Sequence, residues 1–200
     1  MLDAFVRRLI DRPLARAARP LAAVGVSANA ITFLGFAFGL AAAAAIAGEL
    51  YLLGLALLLA NRLADGLDGA VARLKGATDF GGFLDILLDF LVYNALAVGF
   101  ALASPANLVP ALFLLLSFVG SGTSFLAYAI LAAKRGLEHQ RQGRKSFYYL
   151  GGLAEGSETL IFFAAACLLP QHFPLLAWIF AALCLLTTLG RSAQAWRDFR

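Results

Sequence analysis

Charge is scarce in this chain. Asp, Glu, Lys and Arg make up 14% of its 200 residues, against about 25% in an ordinary soluble domain. Hydrophobic residues reach 62%, against about 45–50%, which excludes a water-soluble globule and leaves an integral membrane protein. Soft metal ligands are scarce too. The two cysteines, Cys167 and Cys184, sit in apolar runs outside any CxxC or Cys/His cluster, and the two histidines, His139 and His172, are far apart. That excludes a zinc centre, and the cysteines read as small buried hydrophobes. No repeat and no long linker divides the chain, so residues 1–200 form a single membrane domain. The N-terminal segment carries Arg7, Arg8, Arg12, Arg16 and Arg19 with no apolar run before Ala30, unlike a cleavable signal peptide. The net charge of +4 is spread between apolar blocks rather than along one face, which argues against a nucleic-acid partner.

What the chain does have is six apolar stretches. They run over residues 29–49, 50–73, 81–104, 107–133, 147–169 and 173–191. Each is about 19–27 residues, enough to cross roughly 30 Å of hydrocarbon. Lys and Arg gather before the first stretch, at 73–75, between 134 and 145, and from Arg191 onward, whereas the other three turns have none. The positive-inside rule then places both termini in the cytoplasm. The expected fold is an all-α integral membrane protein, with a six-helix bundle over residues 29–196 in the cell (inner) membrane. Before it, Leu2, Phe5, Val6, Leu9 and Ile10 recur at helical spacing, opposite Arg7, Arg8, Asp11 and Arg12. Residues 1–25 therefore read as a juxtamembrane helix lying in the interface, interrupted at Pro13.

Against this apolar background four acids stand out. Asp65 and Asp68 are three apart on the second stretch, and Asp85 and Asp89 four apart on the third, so each pair shares a helix face. Counted from the intervening turn, Asp68 and Asp85 lie roughly 6–8 Å into their helices and Asp65 and Asp89 roughly 12 Å. One cytoplasmic-side cluster is geometrically allowed. Carboxylates in a low-dielectric site repel one another, and hard oxygen ligands suit Mg2+ or Mn2+. A carboxylate-held pair of ions is a known device for phosphoryl chemistry. Gly66, Gly69, Gly81 and Gly82 let helices or a ligand approach the acids closely. Arg73 is placed either to pair with a diphosphate or to mark the end of a span.

The run Asp65-x-x-Asp68-Gly69-x-x-Ala72-Arg73, followed by Gly81-x-x-x-Asp85-x-x-x-Asp89, closely resembles the signature of the CDP-alcohol phosphotransferase family. Eight positions match in order. The spacing differs from the family pattern by one residue, with seven between Arg73 and Gly81 instead of eight. The resemblance implies transfer of a phosphatidyl group from a CDP-linked donor, commonly CDP-diacylglycerol, to an alcohol, with release of CMP. By position it implies that Asp65, Asp68, Asp85 and Asp89 are metal ligands for two ions, and that Asp89 is also the general base. Gly69, Ala72 and Arg73 would line the nucleotide and diphosphate site together with Asp65 and Gly81. Asn29 and Thr32, in an Asn-x-x-Thr opening similar to those of the family, join them. The family also implies a homodimer.

The acceptor is not named by the sequence. Glu155 and Glu158 suit an amine or a polyol, or pair with Arg62 or Lys145 to hold the bundle. Lys134, Arg144, Lys145 and Arg191 suit an acceptor phosphate instead. Intramembrane acids also mark cation and proton routes, so a transporter or ion pathway is the alternative function. Against it, the four aspartates lie near one side with no matching acids across.

Overall fold

The computed structural model describes residues 2–136 and 156–200, which are helical apart from short connections. In chain order the helices are α1 Leu2–Ala23, α2 Ala28–Ala47, α3 Tyr51–Lys75, α4 Asp79–Ala103, α5 Leu108–Lys134, α6 Gly156–Leu168 and α7 Phe173–Phe199. The loop after α5 and the start of the fifth expected span, with Arg144, Lys145 and Glu155, lie outside the described residues. Among the described residues, four stretches are long and apolar enough to cross a membrane: Ala28–Ala47, Asp79–Ala103, Pro105–Lys134 and Pro170–Phe199. The chain is an all-helical membrane protein.

Local chemistry sets the helix ends. Ser27 Oγ accepts a hydrogen bond from the Ala30 N–H at 3.2 Å and caps α2, while Asn29 sits within the first turn. Only residues 76–78 connect α3 to α4. Gly76 takes φ +102°, a conformation that strains any side chain, and Thr78 Oγ1 caps α4 by accepting from Gly81 N at 3.0 Å. Helix α4 thus begins two residues before Gly81, and the short turn is absorbed by extending both helices towards each other.

Two expectations are corrected. Helix α1 is not interrupted at Pro13 but runs through both Pro13 and Pro20. A proline costs a backbone donor, and the docking of Leu14 and Ala18 against α3, in a cluster with Ile31, Ala64, Ala70 and Val71, offsets that loss. Helix α7 continues past Arg191 to Phe199. Its last turn is tied to the end of α5. There the Tyr128 hydroxyl donates to the Asp198 carboxylate, and Arg135 donates to the carbonyls of Asp198 and Phe199 at 3.1 and 2.8 Å.

Helices α4 to α7 meet over an aromatic core, with Phe100 stacked on Phe173 at 4.3 Å and Phe162 on Phe180 at 4.6 Å. Cys167 and Cys184 are buried free thiols in that core, as their apolar setting suggested. Helix α2 packs against both α3 and α4 through small residues, as is usual between membrane helices. A Cβ on Gly99 would stand 2.5 Å from the backbone oxygen of Ala43, which has no freedom to yield. Gly99→Val is therefore expected to destabilise the protein by at least about 1–3 kcal/mol, read as a lower midpoint in thermal unfolding in detergent. An unchanged midpoint would contradict this close packing.

Candidate active site

The two acid-bearing helices, α3 and α4, are joined by a short turn. In the structure the main partner of each is α2, and an open cleft lies between them. The cleft is lined by Thr32, Gly35 and Phe36 from α2, Asn61, Asp65 and Asp68 from α3, and Asp85, Leu88, Asp89 and Val92 from α4. All four aspartates face it.

Three of them converge. Asp65, Asp68 and Asp85 each offer a carboxylate oxygen within 4.8 Å of the other two. Asp68 is buried, and its Oδ2 has no hydrogen-bond partner. A buried polar atom left so costs about 1–3 kcal/mol unless something else satisfies it. Hard, anionic oxygens around one point fit a divalent cation that favours oxygen, so these residues can hold a metal ion.

The fourth aspartate is held differently. Arg62 grips Asp89 with both terminal nitrogens, Nη2 to Oδ1 at 2.6 Å and Nη1 to Oδ2 at 3.3 Å. The same guanidinium approaches Asp65 Oδ2 at 3.7 Å. Its Nε donates to Asn61 Oδ1 at 2.7 Å, and Nη1 also donates to the Tyr93 hydroxyl at 3.0 Å. Asn61 in turn donates to the Gly35 carbonyl at 2.8 Å. A continuous polar chain therefore runs from α2 through α3 to α4 and ends on Asp89.

Asn61, Arg62 and Tyr93 are site residues that the sequence reading did not assign. Arg62 carried a usable signal. It is a charge inside a span, one helical turn before Asp65 on the same face, and such a charge calls for a function as much as an acid does. Pairing of Arg62 with a glutamate was one of the alternatives left open by the sequence; in the structure Arg62 pairs with Asp89.

The remaining candidates sit around this centre. Thr32 lines the cleft and donates to the Ala28 carbonyl. Asn29 Oδ1 lies beside the start of α4, 3.3 Å from where a Cβ on Gly81 would be. A Cβ on Gly69 would lie 3.5 Å from Arg73 Nη1, so glycine keeps the surface open next to that guanidinium. Arg73 is exposed and 3.9 Å from Asp11 of α1. Ala72 precedes it, half-buried in the same turn. Gly66 serves packing, since a Cβ there would come within 2.7 Å of Leu14 Cδ1.

Of the acceptor candidates among the described residues, none lines the cleft. Lys134 is exposed at the end of α5 and Glu158 is half-buried on α6. Arg191 is buried between α7 and α5, donating to the Ser121 carbonyl at 2.9 Å and lying over the Phe125 ring.

The sequence model of the CDP-alcohol phosphatidyltransferase family matches residues 25–190, a stretch that contains the whole cleft. This chain belongs to that family. The chain is 47% identical over 192 residues to the inner membrane protein YnjF of Escherichia coli (strain K12), covering 96% of this chain and 93% of that one. It is 32% identical to an archaetidylinositol phosphate synthase of Methanothermobacter thermautotrophicus, across 100% of this chain and 96% of the relative. Its fold matches that of the phosphatidylinositol phosphate synthase of Mycobacterium tuberculosis, solved with CDP-DAG bound, at a TM-score of 0.75 and 24% identity, covering 92% and 94% of the two chains. Membership gives the enzyme class: a phosphotransferase that acts on a CDP-linked substrate.

Proposed function

We propose that this enzyme moves a phosphatidyl group from CDP-diacylglycerol to the hydroxyl of a water-soluble alcohol and releases CMP. The observation that carries this reading is the convergence of Asp65, Asp68 and Asp85 in a cleft that also presents Asp89. A Mg2+ or Mn2+ ion held by the three carboxylates would neutralise the donor's diphosphate and stabilise the departing phosphate oxygen. Asp89 accepts the proton of the acceptor hydroxyl. The acceptor oxygen bonds to the lipid-side phosphorus, and the bridging oxygen leaves with CMP. Thr32 lines the cleft, and it would hold the nucleotide and diphosphate together with Gly69, Ala72, Arg73, Asn29 and Gly81, the signature and α2 residues nearby. Arg73 is exposed enough to exchange Asp11 for a phosphate.

The basic loops support a cytoplasmic mouth, where CDP and a polar alcohol are available. A bundle of six spans fits the hydropathy, and an inner-membrane location fits the name of the Escherichia coli relative; pairing as a homodimer rests on the family resemblance alone. The named product of the archaeal relative makes inositol phosphate the first acceptor to try. A phosphorylated acceptor would also give the cations Lys134, Lys145 and Arg191 a role, whereas Glu155 and Glu158 suit an unphosphorylated one.

The test is release of CMP from labelled CDP-diacylglycerol by the purified protein with Mg2+ or Mn2+ and a panel of alcohols. One acceptor is expected to raise CMP release well above the no-acceptor rate. Cation flux in proteoliposomes without such release would favour the transporter alternative.

A further inference from the structure

An interfacial helix usually sinks its apolar face into lipid. In α1 that face is taken up by the protein. Leu14 and Ala18 are buried and Leu21 half-buried against Ile31, Ala64, Ala70 and Val71. The three recur at i, i+4 and i+7 and form one stripe along the helix. Arg12, Arg16 and Arg19 repeat that spacing two residues earlier. Two residues are about 200° of helical rotation, so the arginines line the side turned away from α3. All three are exposed.

This side lacks counter-charge. Among the described residues no acid pairs with Arg12, Arg16 or Arg19, and Asp11 lies 3.9 Å from Arg73 instead. Like charges one turn apart destabilise a helix. Pro13 and Pro20 remove two backbone donors from the same helix, and only a small apolar set docks it. An anionic partner along the arginines would offset both losses. Its place in the chain says which partner. Helix α1 ends at Ala23 and α2, long and apolar enough to span, begins at Ala28. Lys75 donates to the Val26 carbonyl at 2.9 Å and ties that connection to the end of α3. The arginines are thus held beside the hydrocarbon boundary, where lipid phosphates lie. There a basic residue gains roughly fivefold in affinity for an anionic leaflet. On its other side, Leu14 seats where Gly66 has no side chain, next to Asp65. Whatever steadies α1 steadies the stretch that carries Asp65 and Asp68.

We propose that Arg12, Arg16 and Arg19 form a binding surface for the phosphates of anionic membrane lipids. Lipid bound there keeps α1 seated on α3, so that turnover rises with the anionic content of the membrane. The effect on turnover rests on the reaction proposed above; the lipid surface does not.

The test places the full-length protein in bilayers of phosphatidylcholine alone, or with a growing share of phosphatidylglycerol. Hydrogen exchange over residues 11–23, without substrate, reads the seating of α1. CMP release at fixed donor, acceptor and Mn2+ reads turnover. Phosphatidylglycerol is expected to slow exchange in α1 at least about fivefold and to raise CMP release several-fold. Arg12→Gln, Arg16→Gln and Arg19→Gln combined should abolish both responses, while activity in neutral bilayers stays near that of the wild type. Lysine at the same three positions should keep both, since a lipid surface answers to charge. The glutamine protein feels the same surface potential as the wild type. An equal rise in its CMP release would trace the effect to metal or donor gathered at the surface and overturn the proposal. Exchange in α1 that ignores phosphatidylglycerol would overturn it too, as would equal slowing by inorganic phosphate or RNA in neutral bilayers. If no acceptor elicits CMP release, the proposed reaction fails, and the exchange result alone decides the lipid surface.

Discussion

Replacing Asp89 by Asn is expected to lower acceptor-dependent CMP release by about 10²–10⁴-fold, the usual worth of a positioned general base. The amide matches the carboxylate in size and can still accept one hydrogen bond from Arg62. It cannot take up the acceptor's proton. Asp65, Asp68 and Asp85 do not depend on it for their mutual approach, so Mn2+ and donor should bind Asp89→Asn nearly as well as the wild type. The loss should therefore appear in kcat with the donor KM little changed, which is the signature of an interaction made in the transition state. Steady-state kinetics together with equilibrium binding of the donor separate the two. A variant that binds both and turns over at the wild-type rate would remove Asp89 from the chemistry. One that fails to bind Mn2+ would make it a ligand instead.

Replacing Asp68 by Asn should have the larger effect and a different pattern. Asp68 is the most enclosed of the four, 5% exposed, and its Oδ2 finds no protein donor. That oxygen is left for a cation to answer. The amide offers a neutral oxygen and a competing NH2 group, so the remaining two carboxylates should hold the ion weakly. Charge stabilisation by a metal is worth several kcal/mol in the transition state, so activity should fall on the order of 10³-fold or more. The fall should be accompanied by weak Mn2+ binding. Raising Mn2+ should recover part of the Asp68→Asn activity and none of the Asp89→Asn activity. Equal responses of the two variants to added metal would mean that the carboxylates do not divide their work as the cleft suggests.

These residues were visible in the sequence because acids in an apolar run are conspicuous and their spacing fixes which face each occupies. The ends of α2, α3, α4 and α5 were legible to within a few residues for the same reason, since the apolar runs break near Gly48, Gly76 and Ser104. What escaped the sequence depends on contacts between distant segments. Helix α1 continues through Pro13 because α3 receives Leu14 and Ala18, and no local rule contains that. Helix α7 runs on to Phe199 because Tyr128 and Arg135, more than sixty residues earlier, hold its end. For Arg62 the sequence offered only one alternative, a counter-charge for Glu155 or Glu158. The antiparallel course of α3 and α4 brings it to Asp89, 27 residues on. The alcohol-binding side drew on residues scattered over three helices and a loop, with no spacing to tie them together.

The contact between Leu14 and Gly66 has a bearing on how this chain can vary. Leu14 seats where Gly66 has no side chain, one residue from Asp65. A methyl group at 66 would push Leu14 outward, or twist the stretch that aims Asp65 and Asp68. Bulk at 66 is then tolerable only if it is given up at 14, and the two positions form one volume shared by two helices. A substitution that looks harmless in the N-terminal segment would thus be felt at the carboxylates, and its natural suppressor would lie fifty residues away inside the signature.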